Sequence, residues 1–179
     1  KIRKEIAGLM LSGIISDTML FKSPTTTEKD RDAAQELQVI AEVDMNKYAM
    51  EMFKAGTSLK GQSMEEILFQ DFKDFNLVDK NVGIGQVFTL DINQIMGRKD
   101  EFIKLIDSIT AQKGYYVIIL AVTDIIKEGS YIFCTSGREK LVGQMFGIEN
   151  VTQGVYIDKC VSRKKQIVPK VIDALGSIK

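Results

Sequence analysis

Eight consecutive apolar residues at positions 115–122 restrict the fold of this chain more than any other stretch. Strands with one face in water alternate apolar and polar side chains, whereas this run offers no polar face. A strand of that kind lies in the interior of a sheet and is buried on both faces. The sequence therefore predicts a central strand at 115–122.

Strand and helix patterns alternate on both sides of this central strand. Further strands are predicted over 82–90, 130–135 and 154–161, and helical patterns cover 92–113 and 139–146. Such alternation predicts an α/β fold, with one mixed, mainly parallel β-sheet flanked by helices. An apolar helix over 6–20 precedes this domain as an N-terminal helical stub.

Capping residues mark several of the predicted helix starts. Thr25 with Glu28, and Ser63 with Glu66, match the capping-box pattern, in which each side chain bonds the backbone of the other residue. Asp44 could cap a second helix inside the helical pattern of 28–55. This segment is therefore expected to form either one long helix or two.

The charge balance and the apolar segments argue against two classes of partner. Lys+Arg and Asp+Glu number 24 each, and the zero net charge disfavours a general nucleic-acid binder. The apolar run at 6–15 is too short to span a membrane. Cys134 and Cys160 form no CxxC motif, and we interpret both as reduced residues in strands of a cytoplasmic protein. We expect neither nucleic acid nor a membrane among its partners.

A missing residue type limits the chemistry, because the sequence has no histidine. A Ser-His-Asp or Cys-His site therefore cannot form within this chain. Gly83-Ile84-Gly85 opens a predicted strand rather than a helix, so these glycines do not make a dinucleotide-binding fingerprint. The sequence therefore lacks most of the side-chain machinery for hydrolysis.

Three adjacent cations come just before the last predicted helix, as Ser162-Arg163-Lys164-Lys165. Arg offers a planar fork for two phosphate oxygens, Lys adds a compact charge, and the helix start adds free N–H groups. Because Pro169 lacks an N–H, the helix should begin at Lys165 or later, which places Arg163 and Lys164 at its mouth. The segment is either a phosphate clamp or a solvated basic turn.

Two further charged residues stand in unusual surroundings. Asp17 interrupts an apolar helix, where it is either a metal ligand, the partner of a cation, or a helix-end carboxylate bonded to local backbone. Lys73 lies between aromatic and acidic residues near the start of the predicted sheet. On this pattern alone, a surface lysine is the better interpretation of Lys73.

Several segments together resemble one family. Leu-Ser-Gly-Ile-Ile-Ser-Asp-Thr at 11–18 and Phe-Lys-Ser-Pro-Thr-Thr-Thr at 21–27 closely resemble the junction between the two domains of family II inorganic pyrophosphatases. These enzymes are the manganese- or cobalt-dependent members of the Asp-His-His phosphoesterase superfamily. Phe-Lys-Ala-Gly at 53–56 and Ser-Arg-Lys-Lys-Gln at 162–166 resemble the C-terminal domain of the same family.

The resemblance implies a role for each candidate residue. Asp17 corresponds to a carboxylate ligand of a dinuclear Mn²⁺ or Co²⁺ centre. Arg163 and Lys164 correspond to the pair that binds pyrophosphate, and Lys73 corresponds to a further lysine that binds the substrate. The substrate itself is expected to carry Mg²⁺. The implied reaction is metal-assisted hydrolysis of diphosphate to two phosphates.

The family's N-terminal catalytic domain, with its histidines, has no counterpart in this sequence. The resemblance therefore implies that 1–24 are the end of that missing domain plus a linker, and that 25–179 are the C-terminal substrate-binding domain. We expect the intact enzyme to be a homodimer and this chain alone to be inactive. Two alternatives stay open: an exopolyphosphatase of the same superfamily, and a stand-alone, non-catalytic anion-binding module.

Overall fold

The structure, a computed structural model, describes residues 2–177. The chain divides into two compact units, Lys1–Ser58 and Leu59–Lys179. The domain boundary predicted between 24 and 25 refers to a longer parent protein and stays a prediction.

The first unit is formed by three helices, α1 (Lys4–Thr18), α2 (Glu28–Ala41) and α3 (Met45–Gly56). Helix α1 packs against α2 and α3, and its Ala7, Leu11 and Ile15 are fully buried. These residues recur every four positions, which places them on one face of the helix. In the described part of the chain, no helix combines the length and the apolar character needed to cross a membrane.

Helix caps explain where α2 and α3 begin. The segment 28–55 forms two helices, because the Asp44 carboxylate accepts a hydrogen bond from the Lys47 N–H at 2.8 Å and starts α3. The capping box of α2 pairs Thr27 with Asp30. The predicted pairing of Thr25 with Glu28 is therefore wrong by two residues, since the Thr25 hydroxyl bonds the Ser23 hydroxyl and the Asp17 carbonyl of α1 instead.

The second unit carries all the strands that the structure describes. Its elements are α4 (Met64–Phe69), β1 (Phe72–Leu77), β2 (Lys80–Thr89), α5 (Asn93–Met96), α6 (Lys99–Lys113), β3 (Val117–Asp124), β4 (Gly129–Cys134), α7 (Glu139–Phe146), β5 (Val155–Asp158), a π-helical turn (Arg163–Ile167) and α8 (Val168–Gly176). The strands form one sheet in the order β1-β2-β3-β4-β5. The α/β class is thus confirmed.

The direction of the strands corrects the prediction of a mainly parallel sheet. The β2–β3 pair is parallel, whereas β1–β2, β3–β4 and β4–β5 are antiparallel. A parallel pair needs a long crossover, here supplied by α5 and α6, while a short turn reverses the chain. The turn at Val78-Asp79 joins β1 to β2 in this way, with both residues at positive φ.

Strand β3 is buried along its whole length, as the apolar run predicts, but it runs over Val117–Asp124 instead of the predicted 115–122. Ile118, Leu120 and Val122 face the core that α4, α5 and α6 cover. The alternate residues of β3 face the core under α7 and α8. The sheet is therefore covered by helices on both faces.

The last strand is shorter than predicted. Strand β5 ends at Asp158, and Lys159 adopts a φ of 55°, which turns the chain out of the sheet. Cys160 therefore follows the strand instead of lying in it, while Cys134 lies in β4 as expected. Both cysteines are free and buried.

Candidate functional site

The basic segment forms a closed turn that bonds to itself. The Ser162 hydroxyl accepts a hydrogen bond from the Lys165 N–H at 3.3 Å. The Gln166 amide oxygen accepts hydrogen bonds from the N–H groups of Val161 and Ser162, each at 2.9 Å. The α-helix itself begins at Val168, later than Lys165 as expected, but a π-helical turn from Arg163 precedes it.

Buried polar side chains of the sheet fasten the segment just before this turn. Gln86, which is 5% exposed, donates to the Val161 carbonyl at 3.0 Å and accepts from the Arg163 N–H at 3.2 Å. On β4, which lies two strands from β2 in the sheet, the Ser130 hydroxyl donates to the Cys160 carbonyl at 2.5 Å. These bonds leave the backbone of 160–163 little freedom, because each buried polar group would lose its partner if the segment moved.

The Arg163 side chain points into the domain. Only 9% of the residue is exposed. Its Nη1 donates to the carbonyls of Asp71 and Ile84 at 2.5 and 3.3 Å, and its Nη2 donates to the Asp71 carboxylate at 2.8 Å. Among the hydrogen bonds of the described residues, none uses the Nε–H of Arg163. Arg163 is therefore not a solvated turn residue, and part of its guanidinium fork is already bound.

Lys164 and Lys73 contrast with Arg163, because both are exposed. Neither side chain has an ion pair or hydrogen bond to any residue that the structure describes. Lys73 on β1 pairs in register with Ile84, whose carbonyl receives the Arg163 guanidinium. The structure thus brings Lys73 to the same part of the sheet as Arg163, and Lys164 is the next residue along the turn.

Asp17 lies in the first compact unit, exposed near the end of α1. Met19, Leu20 and Phe21 follow with φ values of 50°, 51° and 65°. Three consecutive left-handed residues without glycine are costly, at about 1–2 kcal/mol each, and such strain tends to occur at functional sites. The Thr25 hydroxyl ties the next loop to the Asp17 carbonyl at 3.3 Å. The carboxylate itself has no partner among the described residues.

A metal site needs several ligands, and residues 2–177 contain no group of three His, Cys, Asp or Glu side chains placed to hold an ion. The exposed carboxylate of Asp17 can supply a single oxygen ligand. A dinuclear centre therefore does not fit the described residues of this chain alone.

Sequence reasoning missed two residues that shape the site, Asp71 and Gln86. Gln86 is an amide within the otherwise apolar stretch 82–88, and a buried amide of this kind needs partners, which was an available signal. Asp71 carries no comparable signal, because an acid in a segment rich in charged residues is usually solvated. Only the fold shows that it meets a residue 92 positions away.

Comparison with known proteins defines the class of this domain. Residues 50–174, well over half of the chain, match the DHHA2 domain family, and the chain belongs to that family.

Its relatives carry a more particular description. A Clostridium acetobutylicum protein described as a manganese-dependent inorganic pyrophosphatase is 45% identical over 172 residues, which cover 96% of this chain and 56% of the relative. A Staphylococcus saprophyticus protein with the same description is 44% identical, with coverages of 98% and 57%.

Among solved structures, a Methanococcus jannaschii protein described as a family II inorganic pyrophosphatase matches with a TM-score of 0.87 and 37% identity, covering 99% of this chain and 58% of that one. These matches confirm the resemblance seen in the motifs. The chain spans a little over half the length of these relatives.

Proposed function

We propose that this chain is the pyrophosphate-binding domain of an inorganic pyrophosphatase that hydrolyses diphosphate to two phosphates. The observation that carries the proposal is the anchored turn, which presents the exposed Lys164 directly after the buried, hydrogen-bonded Arg163. The descriptions of the relatives supply the substrate.

The proposed chemistry of these residues is positioning and charge neutralisation. Pyrophosphate is a compact polyanion, and Lys164 and Lys73 offer mobile ammonium groups to its oxygens. The part of the Arg163 fork that faces away from Asp71 offers directional N–H groups. Groups that are already in place when the P–O–P bond breaks stabilise the charge that develops on the leaving phosphate.

Asp17 is proposed to supply one carboxylate to a manganese centre whose other ligands belong to the rest of the parent protein. When bound, the metal would provide an activated water. The exposed, unpartnered carboxylate beside a strained turn supports this role. Four further properties stay predictions of the family resemblance. They are the use of Co²⁺, Mg²⁺ bound to the substrate, a homodimeric parent and a cytoplasmic location.

The outer face of α1 supports the proposal of a missing partner domain. Ile6, Leu9 and Met10 are 40%, 70% and 48% exposed and follow helical spacing. A contiguous apolar stripe of this kind marks a surface that is normally covered. We propose that the N-terminal catalytic domain, which the relatives' greater length accommodates, covers it in the parent protein.

Isothermal titration of this chain with pyrophosphate, with and without Mn²⁺, tests the binding site. We expect binding without Mn²⁺ and a loss of about tenfold or more in Lys164→Ala, because one charge-assisted contact is removed. Lys104→Ala is the matched control, since Lys104 is an equally exposed lysine on α6, on the other face of the sheet. No binding, or equal losses in both variants, would contradict the proposed site.

A further inference from the structure

We propose that Asp71 is a positioning residue, which holds the guanidinium of Arg163 in the orientation that binds the substrate anion. The inference rests on the proposed function and adds to it a residue that the sequence motifs do not contain. Asp71 is argued to act through Arg163 and not by touching pyrophosphate itself.

The contact between Asp71 and Arg163 fixes two nitrogens at once. The Asp71 carboxylate accepts from Nη2 at 2.8 Å, and the Asp71 carbonyl accepts from Nη1 at 2.5 Å. Two bonds to the terminal nitrogens define the plane and the rotation of the guanidinium, which a single bond would not. The Nε–H lies outside this contact.

Asp71 is itself held in place by the sheet. Its carbonyl accepts a second hydrogen bond from the Gln86 N–H at 3.0 Å, which extends the pairing of β1 and β2 by one step. Gln86 also bonds the Arg163 backbone N–H through its side chain. Gln86 of β2 thus holds the backbone of both Asp71 and Arg163 in place, while the Asp71 carboxylate fixes the orientation of the Arg163 side chain.

Preorganisation is the expected benefit of this arrangement. A long arginine side chain that is free to rotate loses that freedom when it binds an anion, and binding is weaker by that amount. The Asp71 carboxylate also carries a negative charge, which opposes an incoming anion. Positioning by Asp71 therefore raises the affinity for the anion, while the charge of Asp71 lowers it. Substitutions that remove one effect and keep the other show which is larger.

Three roles for Asp71 predict different orders of affinity. A positioning residue predicts that Asp71→Asn, which keeps the acceptor oxygen and removes the charge, binds as well as the wild type, while Asp71→Ala binds less well. A residue that competes with the substrate for Arg163 predicts that both variants bind more tightly. A purely structural residue predicts a lower melting temperature with unchanged affinity.

The experiment is the titration of the full chain with pyrophosphate for the wild type, Asp71→Ala, Asp71→Asn and Asp74→Ala. Asp74 is the matched control, because it is also exposed, carries the same charge three residues away, and bonds the Tyr115 hydroxyl instead of Arg163. We expect Asp71→Ala to weaken binding about tenfold, and Asp71→Asn and Asp74→Ala to stay within about threefold of the wild type. Thermal unfolding of each variant shows that it is folded.

Wild-type affinity or tighter binding in Asp71→Ala would overturn the inference. If the wild type binds pyrophosphate and Lys164→Ala does not, unchanged or tighter binding by Asp71→Ala removes the role of Asp71 and leaves the proposed function intact. If the wild type does not bind at all, the proposed site fails and the inference fails with it. Should Asp71→Ala not fold, Asp71→Glu replaces it with the same expectation of weaker binding, since its carboxylate is displaced by one methylene group.

Discussion

At the scale of single residues, Arg163 supports the fold of its domain as well as the proposed site. Its guanidinium makes three hydrogen bonds inside the domain. A lysine keeps the charge but cannot form the same fork, so we predict that Arg163→Lys lowers the free energy of unfolding by about 2 kcal/mol. Urea denaturation followed by circular dichroism measures this change.

The neighbouring cation provides the control for that prediction. Lys164 is exposed, so Lys164→Arg should change the free energy of unfolding by less than about 0.5 kcal/mol. Equal stability of Arg163→Lys and Lys164→Arg would show that the buried hydrogen bonds of Arg163 contribute little.

The two cysteines give a second prediction at this scale. Burial raises the pKa of the Cys134 thiol to about 12 and that of Cys160 to about 11. Since the thiolate is the reactive form, we predict that iodoacetamide at pH 8 labels neither thiol in the folded chain and both in urea, as read by mass spectrometry. Rapid labelling of either cysteine under native conditions would contradict the buried positions.

The same shifts determine how these thiols affect stability at alkaline pH. Between the ordinary thiol pKa and the raised value, the unfolded chain loses the proton while the folded chain keeps it. The unfolded state then binds fewer protons, so stability falls as the pH rises from about 8.5 towards 11–12. Below that range the thiols contribute no pH dependence.

At the scale of elements, a glycine in β2 makes room for an aromatic ring of β1. A Cβ at Gly83 would lie 2.3 Å from the Phe72 ring, whereas a Cβ at Gly176, at the end of α8, meets nothing within 4 Å. We predict that Gly83→Ala destabilises the domain by about 1–3 kcal/mol, because the ring must shift. Gly176→Ala should be neutral or stabilise it by up to about 1 kcal/mol. Thermal denaturation of the two variants checks this difference in sign.

The elements also show why some features could be predicted and others could not. The buried central strand and the caps at Asp44 and Ser63 follow from local chemistry, and the structure confirms them, although the strand runs over Val117–Asp124 instead of 115–122. Strand β1 is not among the predicted strands, because its turn uses Val78-Asp79 at positive φ instead of the usual Asn-Gly pair. The strand directions depend on which strands pair, and local patterns do not contain that information.

At the scale of the whole molecule, the proposed site was only partly visible in the sequence. The family motifs point to Asp17, Arg163 and Lys164, while the burial of Arg163 and its contact with Asp71 depend on residues far apart in the chain. The comparisons then place the chain in the DHHA2 domain family, and the chain spans only 56% and 57% of its Clostridium acetobutylicum and Staphylococcus saprophyticus relatives. In the proposed function, the chemistry is therefore distributed over more sequence than this chain contains.

This distribution leads to a prediction for catalysis. We expect this chain with Mn²⁺ to release no phosphate from pyrophosphate, because its described residues contain no group of three His, Cys, Asp or Glu side chains placed to hold a metal ion. A fusion that joins this chain to the part of the Clostridium acetobutylicum relative that it does not match should hydrolyse pyrophosphate. Lys164→Ala in that fusion should lower kcat/KM by about a hundredfold, since a charge-stabilising group is lost. A phosphate-release assay compares the unfused chain, the fusion and its Lys164→Ala variant. A binding domain alone cannot generate the nucleophile, so turnover by the unfused chain would refute this division of roles.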